Sequence, residues 1–294
     1  MAVTLIVVLI VLAVAMAAPE LTRLRDFGWL QRWVVWLNAR LGLNALWTHG
    51  AGLLLSVGLP CLSLLLVDRI LGGALFGLVG FVLAVVVLYY CWGPRDLDLD
   101  VADLVTATDA ESRQRALRAL GAADAPASTI DRVERVFDEA LRRWFSVLFW
   151  FVLFGPVAAL GYRLLQLLAD RSEFIAELPY AQNVAARRLH DALAWLPAQL
   201  MALALALAAN FDAVSKAWRE HHAAHGQGLL HLDLGFLSST ARACIEFDDV
   251  DEVDIDGDAN PREIIAEQSL QLAWRILVVW LAALALVVLV QLFD

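Results

Sequence analysis

Apolar residues are gathered into runs near the length of a membrane crossing, and polar residues into a few blocks between them. The runs are Ala2 to Ala18, Ala51 to Val67, Ile70 to Trp92, Trp144 to Leu168, Trp195 to Phe211 and Ala273 to Phe293. About 20 residues of α-helix cross the roughly 30 Å hydrocarbon core of a bilayer. The pattern therefore predicts an all-α, polytopic membrane protein with about five to six transmembrane helices and helical polar segments between them. Five parts follow: N-terminal spans with an interfacial helix (1–92), a polar helical segment (93–143), a central membrane core (144–211), an acidic polar segment (212–270) and a C-terminal span (271–294).

Pro19 ends the first run. Residues 2–18 lack the positive n-region of a signal peptide, although Ala15-Met16-Ala17 resembles a cleavage site, so a retained helix is expected. In residues 20–50, Leu30, Val34, Leu37 and Leu41 recur at helical spacing, with Arg25 and Arg32 on another face and Trp29, Trp33, Trp36 and Trp47 among them. Such a mixture describes a helix lying among the headgroups. A ligand groove lined by the tryptophans is the functional alternative. Only Asp68-Arg69 separates the second and third runs, which predicts a tight hairpin, and Gly73-x-x-x-Gly77 permits close helix packing.

Within 93–143, Asp109 is placed to cap a helix ended by Gly121, with Ala116, Leu117 and Leu120 as its apolar side. Ser128-x-x-Asp131 resembles a capping box. Behind it Ile130, Val133, Phe137, Ala140, Leu141 and Trp144 form one helical stripe leading into the fourth run. Asp131/Arg135, Asp138/Arg142 and Glu139/Arg143 are i,i+4 pairs with the acid first. Gly155-Pro156 interrupts the fourth run, which either crosses once or re-enters. If every run crosses once, the arginine bias places the large polar segments in the cytoplasm and the N-terminus outside.

Composition agrees with this picture: 61% of the 294 residues are hydrophobic, and the mean hydropathy is +0.67. The net charge of −10 argues against a nucleic-acid partner. Lys216 is the single lysine, a skew that reflects genome composition rather than chemistry. Cys61, Cys91 and Cys244 show no spacing of a disulfide framework or a zinc site. No cofactor is indicated, since there is no Gly-rich phosphate loop, Walker motif, nucleophile elbow or Ser/His/Asp order.

Three constellations could carry chemistry. His221-His222-x-x-His225 puts His221 and His225 on one helix face, a weak candidate metal pair without the glutamate of H-E-x-x-H. Glu252 to Glu263 has an EF-hand-like rhythm, broken by Glu252 at the first position, Ala259 at the eighth and a following Pro261; a solvated acidic loop is the default. The third is polar and lies at the membrane rim: Glu139, Arg163, Arg188, His190 and Asp191. An arginine at the edge of hydrocarbon is costly, so it is paired, snorkelled or functional. Arg163 is expected either to pair with Asp191 or Glu139 for stability, or to receive an anionic ligand.

The central stretch adds a resemblance. Leu148-Phe149-Trp150, Gly155-Pro156 and Gly161-Tyr162-Arg163 are followed by Arg188-Leu189-His190-Asp191 and Leu196-Pro197-Ala198-Gln199-Leu200. In order and spacing these resemble the AmpE family of integral membrane proteins, within the CobD/CbiB cobalamin-biosynthesis superfamily. The resemblance covers residues 130–215 by motif and the remainder by layout. It implies a candidate ligand site of Glu139, Tyr162, Arg163, Arg188, His190, Asp191 and Gln199. Superfamily members that attach the aminopropanol arm to a corrin ring carry Asn-Thr-x-Asp just after the Tyr-Arg step. Here those positions read Gln166-Leu167-Leu168-Ala169, and Gln199 replaces the arginine of Pro-Ala-Arg. The resemblance implies a bacterial inner-membrane sensor or signalling modulator linked to cell-wall recycling and β-lactamase induction. The expected partners are membrane lipids and a cell-wall-derived ligand or a regulatory protein. An amide-forming enzyme of the cobinamide-synthase type and a small-molecule carrier are the alternatives.

Overall fold

A computed structural model describes residues 2–42, 44–71, 77–93, 97–107, 109–120, 129–170, 172–224, 232–245 and 261–293. Among these residues the secondary structure is helical, with no strand. Three described helices are long and apolar enough to cross a membrane: Gly50–Leu71, Tyr180–Ala208 and Ile265–Gln291. A fourth crossing is available if Ala2–Ala17 and Glu20–Leu41, which meet at 111°, form one bent span. The third expected run is a shorter apolar helix, Leu78–Cys91. The class is the all-α membrane architecture that the pattern predicts, with three to four candidate crossings among the described residues where five to six were expected.

One break differs from the expected one, and the other falls where Gly155-Pro156 predicts it. Asp68-Arg69 is not the turn between the second and third runs, because the helix Leu59–Leu71 includes both residues. They fall in its last turn, where Arg69 is exposed and complements the helix dipole. The fourth run is split. Gly155 takes φ +80°, a left-handed conformation open to glycine at little cost. It separates Ser146–Phe154 from Pro156–Asp170, and the two helices pack on each other. Pro156–Asp170, at 15 residues, is short for a crossing by itself. Gly72, Gly73, Gly121, Ser128, His225, His231 and residues 252–260 lie outside the described residues, so the small-residue motif, the capping box and the EF-hand-like rhythm cannot be placed in full.

The chain divides into two units. The first comprises residues 1–94 and 146–194. Leu78–Cys91 packs on Ala2–Ala17 and on Pro156–Asp170, and the latter also meets Leu59–Leu71. Gly28–Leu41 buries Leu30, Val34 and Leu37, the predicted stripe, while Arg32 stays exposed. Arg25 is buried: its guanidinium lies 4.2 Å from the Tyr89 ring centroid and donates to the Gly93 carbonyl at 3.4 Å. Trp47 is fully buried and bonds the Asn38 side chain at 3.0 Å.

The second unit comprises residues 95–145 and 195–294. Asp109 caps Ala110–Ala119 as predicted, accepting the Ser112 N–H at 3.1 Å, and Ala116 and Leu120 are buried. Thr129–Ala140 buries Val133, Phe137 and Ala140 against Gly235–Arg242 and Pro261–Phe293. It then widens into a π-helical turn, Leu141–Phe145. Arg143 sits there almost fully buried. It donates to Asp100 Oδ2 at 2.5 Å, Glu139 Oε2 at 2.7 Å and the Ala119 carbonyl at 3.1 Å. Trp144 packs on Trp274, whose indole N–H donates to Asp98 at 2.6 Å.

Candidate functional site

Pro156–Asp170 places Tyr162, Arg163 and Gln166 inside the first unit. Helical spacing brings Gln166 one turn beyond Arg163, and its carbonyl oxygen accepts from the guanidinium. Arg163 is fully buried, as are the Tyr162 ring and His190 to within a few per cent. Tyr162 Oη lies 3.3 Å from His190 Nε2, and His190 Nδ1 lies 3.3 Å from Asp191 Oδ1. The Asp191 side chain is 47% exposed. A chain of polar contacts therefore leads from a solvated carboxylate to a buried phenol. Trp150 fixes the helix that carries His190 by donating to the Leu193 carbonyl at 3.2 Å.

The remaining candidates are spent elsewhere. Asp191 meets His190 rather than Arg163. Glu139 belongs to the second unit and accepts from Arg143. Gln199, also in the second unit, accepts from the Trp218 indole at 3.2 Å. Arg188 lies on the helix of His190, two residues earlier, and is exposed. Pro197 is accommodated inside the unbroken helix Tyr180–Ala208.

His221 and His222 meet edge to face with ring centroids 5.9 Å apart, but take different polar partners. His222 Nδ1 faces the Trp218 carbonyl at 2.8 Å, whereas His221 contacts Asp233 and Ser239 at 3.0 and 3.2 Å. His225 lies outside the described residues, and among those described no group of three His, Cys, Asp or Glu residues is placed to hold a metal ion. The Asp233–His221–Ser239 arrangement was invisible in the sequence, because its members are 12 and 18 residues apart and share no motif.

Three of the four tryptophans line a groove, and Trp47 is buried apart from it. Trp29, Trp33 and Trp36 border a groove of about 1000 Å³ with Arg32, facing Leu59, Pro60, Ser63 and Leu64. The Trp29 indole donates to Tyr90 Oη at 2.7 Å, and Trp33 stacks on Trp36 at 5.3 Å.

No curated protein and no solved structure matches the chain. A family model, that of the CobD/Cbib proteins, matches residues 6–227. That stretch contains every residue of the Tyr162–His190–Asp191 chain and well over half of the protein, and the chain belongs to the CobD/Cbib protein family.

Proposed function

We propose that this chain is a sensor or signalling modulator of the bacterial cytoplasmic membrane, coupled to cell-wall recycling and β-lactamase induction. One observation carries the reading. Where the amide-forming relatives carry Asn-Thr-x-Asp, this chain has Gln166-Leu167-Leu168-Ala169, and all four side chains are packed into the first unit. Leucine and alanine hold neither a nucleotide phosphate nor an amine, and Gln166 is occupied by Arg163. What remains polar runs from solvent inward. An anionic cell-wall fragment would meet exposed Arg188 and compete for the neighbourhood of Asp191. A change at Asp191 would alter the His190–Tyr162 contact behind it. That supports a ligand-responsive element rather than a reaction centre.

The test is β-lactamase activity after a sub-inhibitory dose of β-lactam, in cells lacking the gene and complemented with wild type, Arg188→Ala or His190→Ala. Wild type is expected to restore the induction ratio, and both variants to fail at equal membrane abundance. An induction ratio that ignores the deletion would refute the reading. Family membership itself favours the second reading, amide formation. Purified protein supplied with a corrinoid acid, an amine and ATP is expected to form no amide; product above the no-protein blank would establish the enzyme instead.

A further inference from the structure

We propose that Ser239 is an activated nucleophile, with His221 as its base and Asp233 as the residue that positions the base. The site would act on an acyl ester or amide. Its serine and aspartate lie beyond residue 227, where the stretch that the family model matches ends, and His221 lies just inside it; none of the three belongs to the Tyr162–His190–Asp191 chain.

Three side chains from two helices and the turn before the second make the arrangement. His221 projects from Phe211–Ala224, and Ser239 from Gly235–Arg242. His221 Nε2 lies 3.0 Å from Asp233 Oδ2, and Nδ1 lies 3.2 Å from Ser239 Oγ. Asp233 is itself fixed, since its Oδ1 accepts the Gly235 N–H at 3.0 Å. An ionised carboxylate only accepts hydrogen bonds, so the proton of a neutral imidazole resides on Nε2. That leaves the Nδ1 lone pair facing the Ser239 hydroxyl, the tautomer a general base requires. The close approach depends on Gly235, because a Cβ there would lie 3.1 Å from His221 Cε1 and 3.3 Å from the Asp233 carboxylate oxygens.

A cation stands beside the nucleophile. Arg242 Nη2 lies 3.5 Å from Ser239 Oγ, and Arg242 is held by Glu134 at 3.3 Å. Positive charge there stabilises the oxyanion that forms when a hydroxyl adds to a carbonyl. The histidine side chain is 13% exposed and the aspartate 42%, so the group stands at a surface that a substrate can reach.

The chemistry balances without a cofactor. Ser239 Oγ bonds to the acyl carbon as its proton passes to His221 Nδ1. The alcohol or amine leaves with that proton, and an acyl-serine remains. Water then adds, giving a proton to Nδ1. The carboxylic acid departs as the proton returns to Ser239 Oγ. The Ser239 hydroxyl has two acceptors for its one proton, His221 Nδ1 at 3.2 Å and the Gly235 carbonyl at 3.1 Å.

The test is a fluorophosphonate probe applied to the full-length protein in detergent, read by intact mass and by peptide mapping. The expected result is one adduct per chain on Ser239, absent in Ser239→Ala. Labelling should be at least about 100-fold slower in His221→Gln, the scale of a lost general base. It should also be slowed in Asp233→Asn at unchanged melting temperature. A folded wild type that takes no adduct, an adduct on another residue, or wild-type labelling of His221→Gln would each overturn the proposal. A clamp that merely ties the two helices together would shift the melting temperature of these variants and leave Ser239 inert in the wild type.

Discussion

Removing the Arg143 side chain tests the second unit at its most exposed point of logic. The Arg143 and Asp100 side chains are 6% and 1% accessible, so both charges are out of water. Burial alone would lower the Arg143 pKa, but Glu139 and Asp100 beside it outweigh that and raise it, so the guanidinium stays charged. Arg143→Ala deletes the hydrogen bonds to Asp100, Glu139 and the Ala119 carbonyl and removes the positive charge paired with buried Asp100. Breaking such a pair from one side costs about 3–5 kcal/mol. At roughly 2–4 °C per kcal/mol for a chain of this size class, the apparent melting temperature in detergent should fall by about 6–20 °C. Tryptophan fluorescence reports it directly, because Trp144 follows Arg143 in sequence and packs on Trp274. The double variant Arg143→Leu/Asp100→Leu removes both charges and should recover more than half of the loss, since an apolar replacement of a buried pair is often neutral. A fall of under 2 °C for Arg143→Ala, or a double variant as unstable as the sum of the singles, would refute the argument.

Two further outcomes follow from single residues. At Gly155 a Cβ would meet nothing within 4 Å, so Gly155→Ala suffers only from φ +80° and should cost about 1–2 kcal/mol; Gly155→Asn, which tolerates that region better, should cost less, and melting temperatures ranked the other way would reject the assignment. Burial raises the Asp138 pKa to about 6, against the lowering influence of Arg142 and Arg135. The native state then holds a proton that the unfolded chain has released between about pH 4 and 6, so stability is highest below this window and declines as pH rises through it. The loss is at most about 3 kcal/mol for two pKa units, and less to the extent that solvent reaches the group. Asp138→Asn should flatten the pH–melting profile across the window, and an unchanged slope would rule this carboxyl out as its source.

Local signals in the chain were readable where a short-range rule acts alone. The spacing of Val133, Phe137 and Ala140 gives a buried helix face, and Asp109 caps its helix because an aspartate before Ala110 has few other uses. The stripe Leu30, Val34 and Leu37 and the tryptophans beside it were legible for the same reason. Asp68-Arg69 misled because two charges between apolar runs resemble a turn, yet a helix end accommodates both when their heads reach solvent. Long-range choices were not legible. Arg143 could be matched to Glu139 by i,i+4 spacing, but nothing local selects Asp100, 43 residues away. Arg163 was expected to pair with Asp191 or Glu139, but those two meet His190 and Arg143, and an amide one turn along accepts from the guanidinium. His221 was read toward His225 along its own helix, while its partners Asp233 and Ser239 come from beyond that helix.

The left-handed residue at Gly155 also bears on how the chain is made. Insertion machinery responds to apolarity summed over about 20 residues, and it does not sense the hand of one backbone angle. Residues 144–168 carry Arg163 as their one charge and present themselves to that machinery as a single transmembrane candidate. The finished fold holds the same stretch as two short helices pressed together. A stretch that is uniform in apolarity is thus divided by one backbone angle, the φ +80° of Gly155.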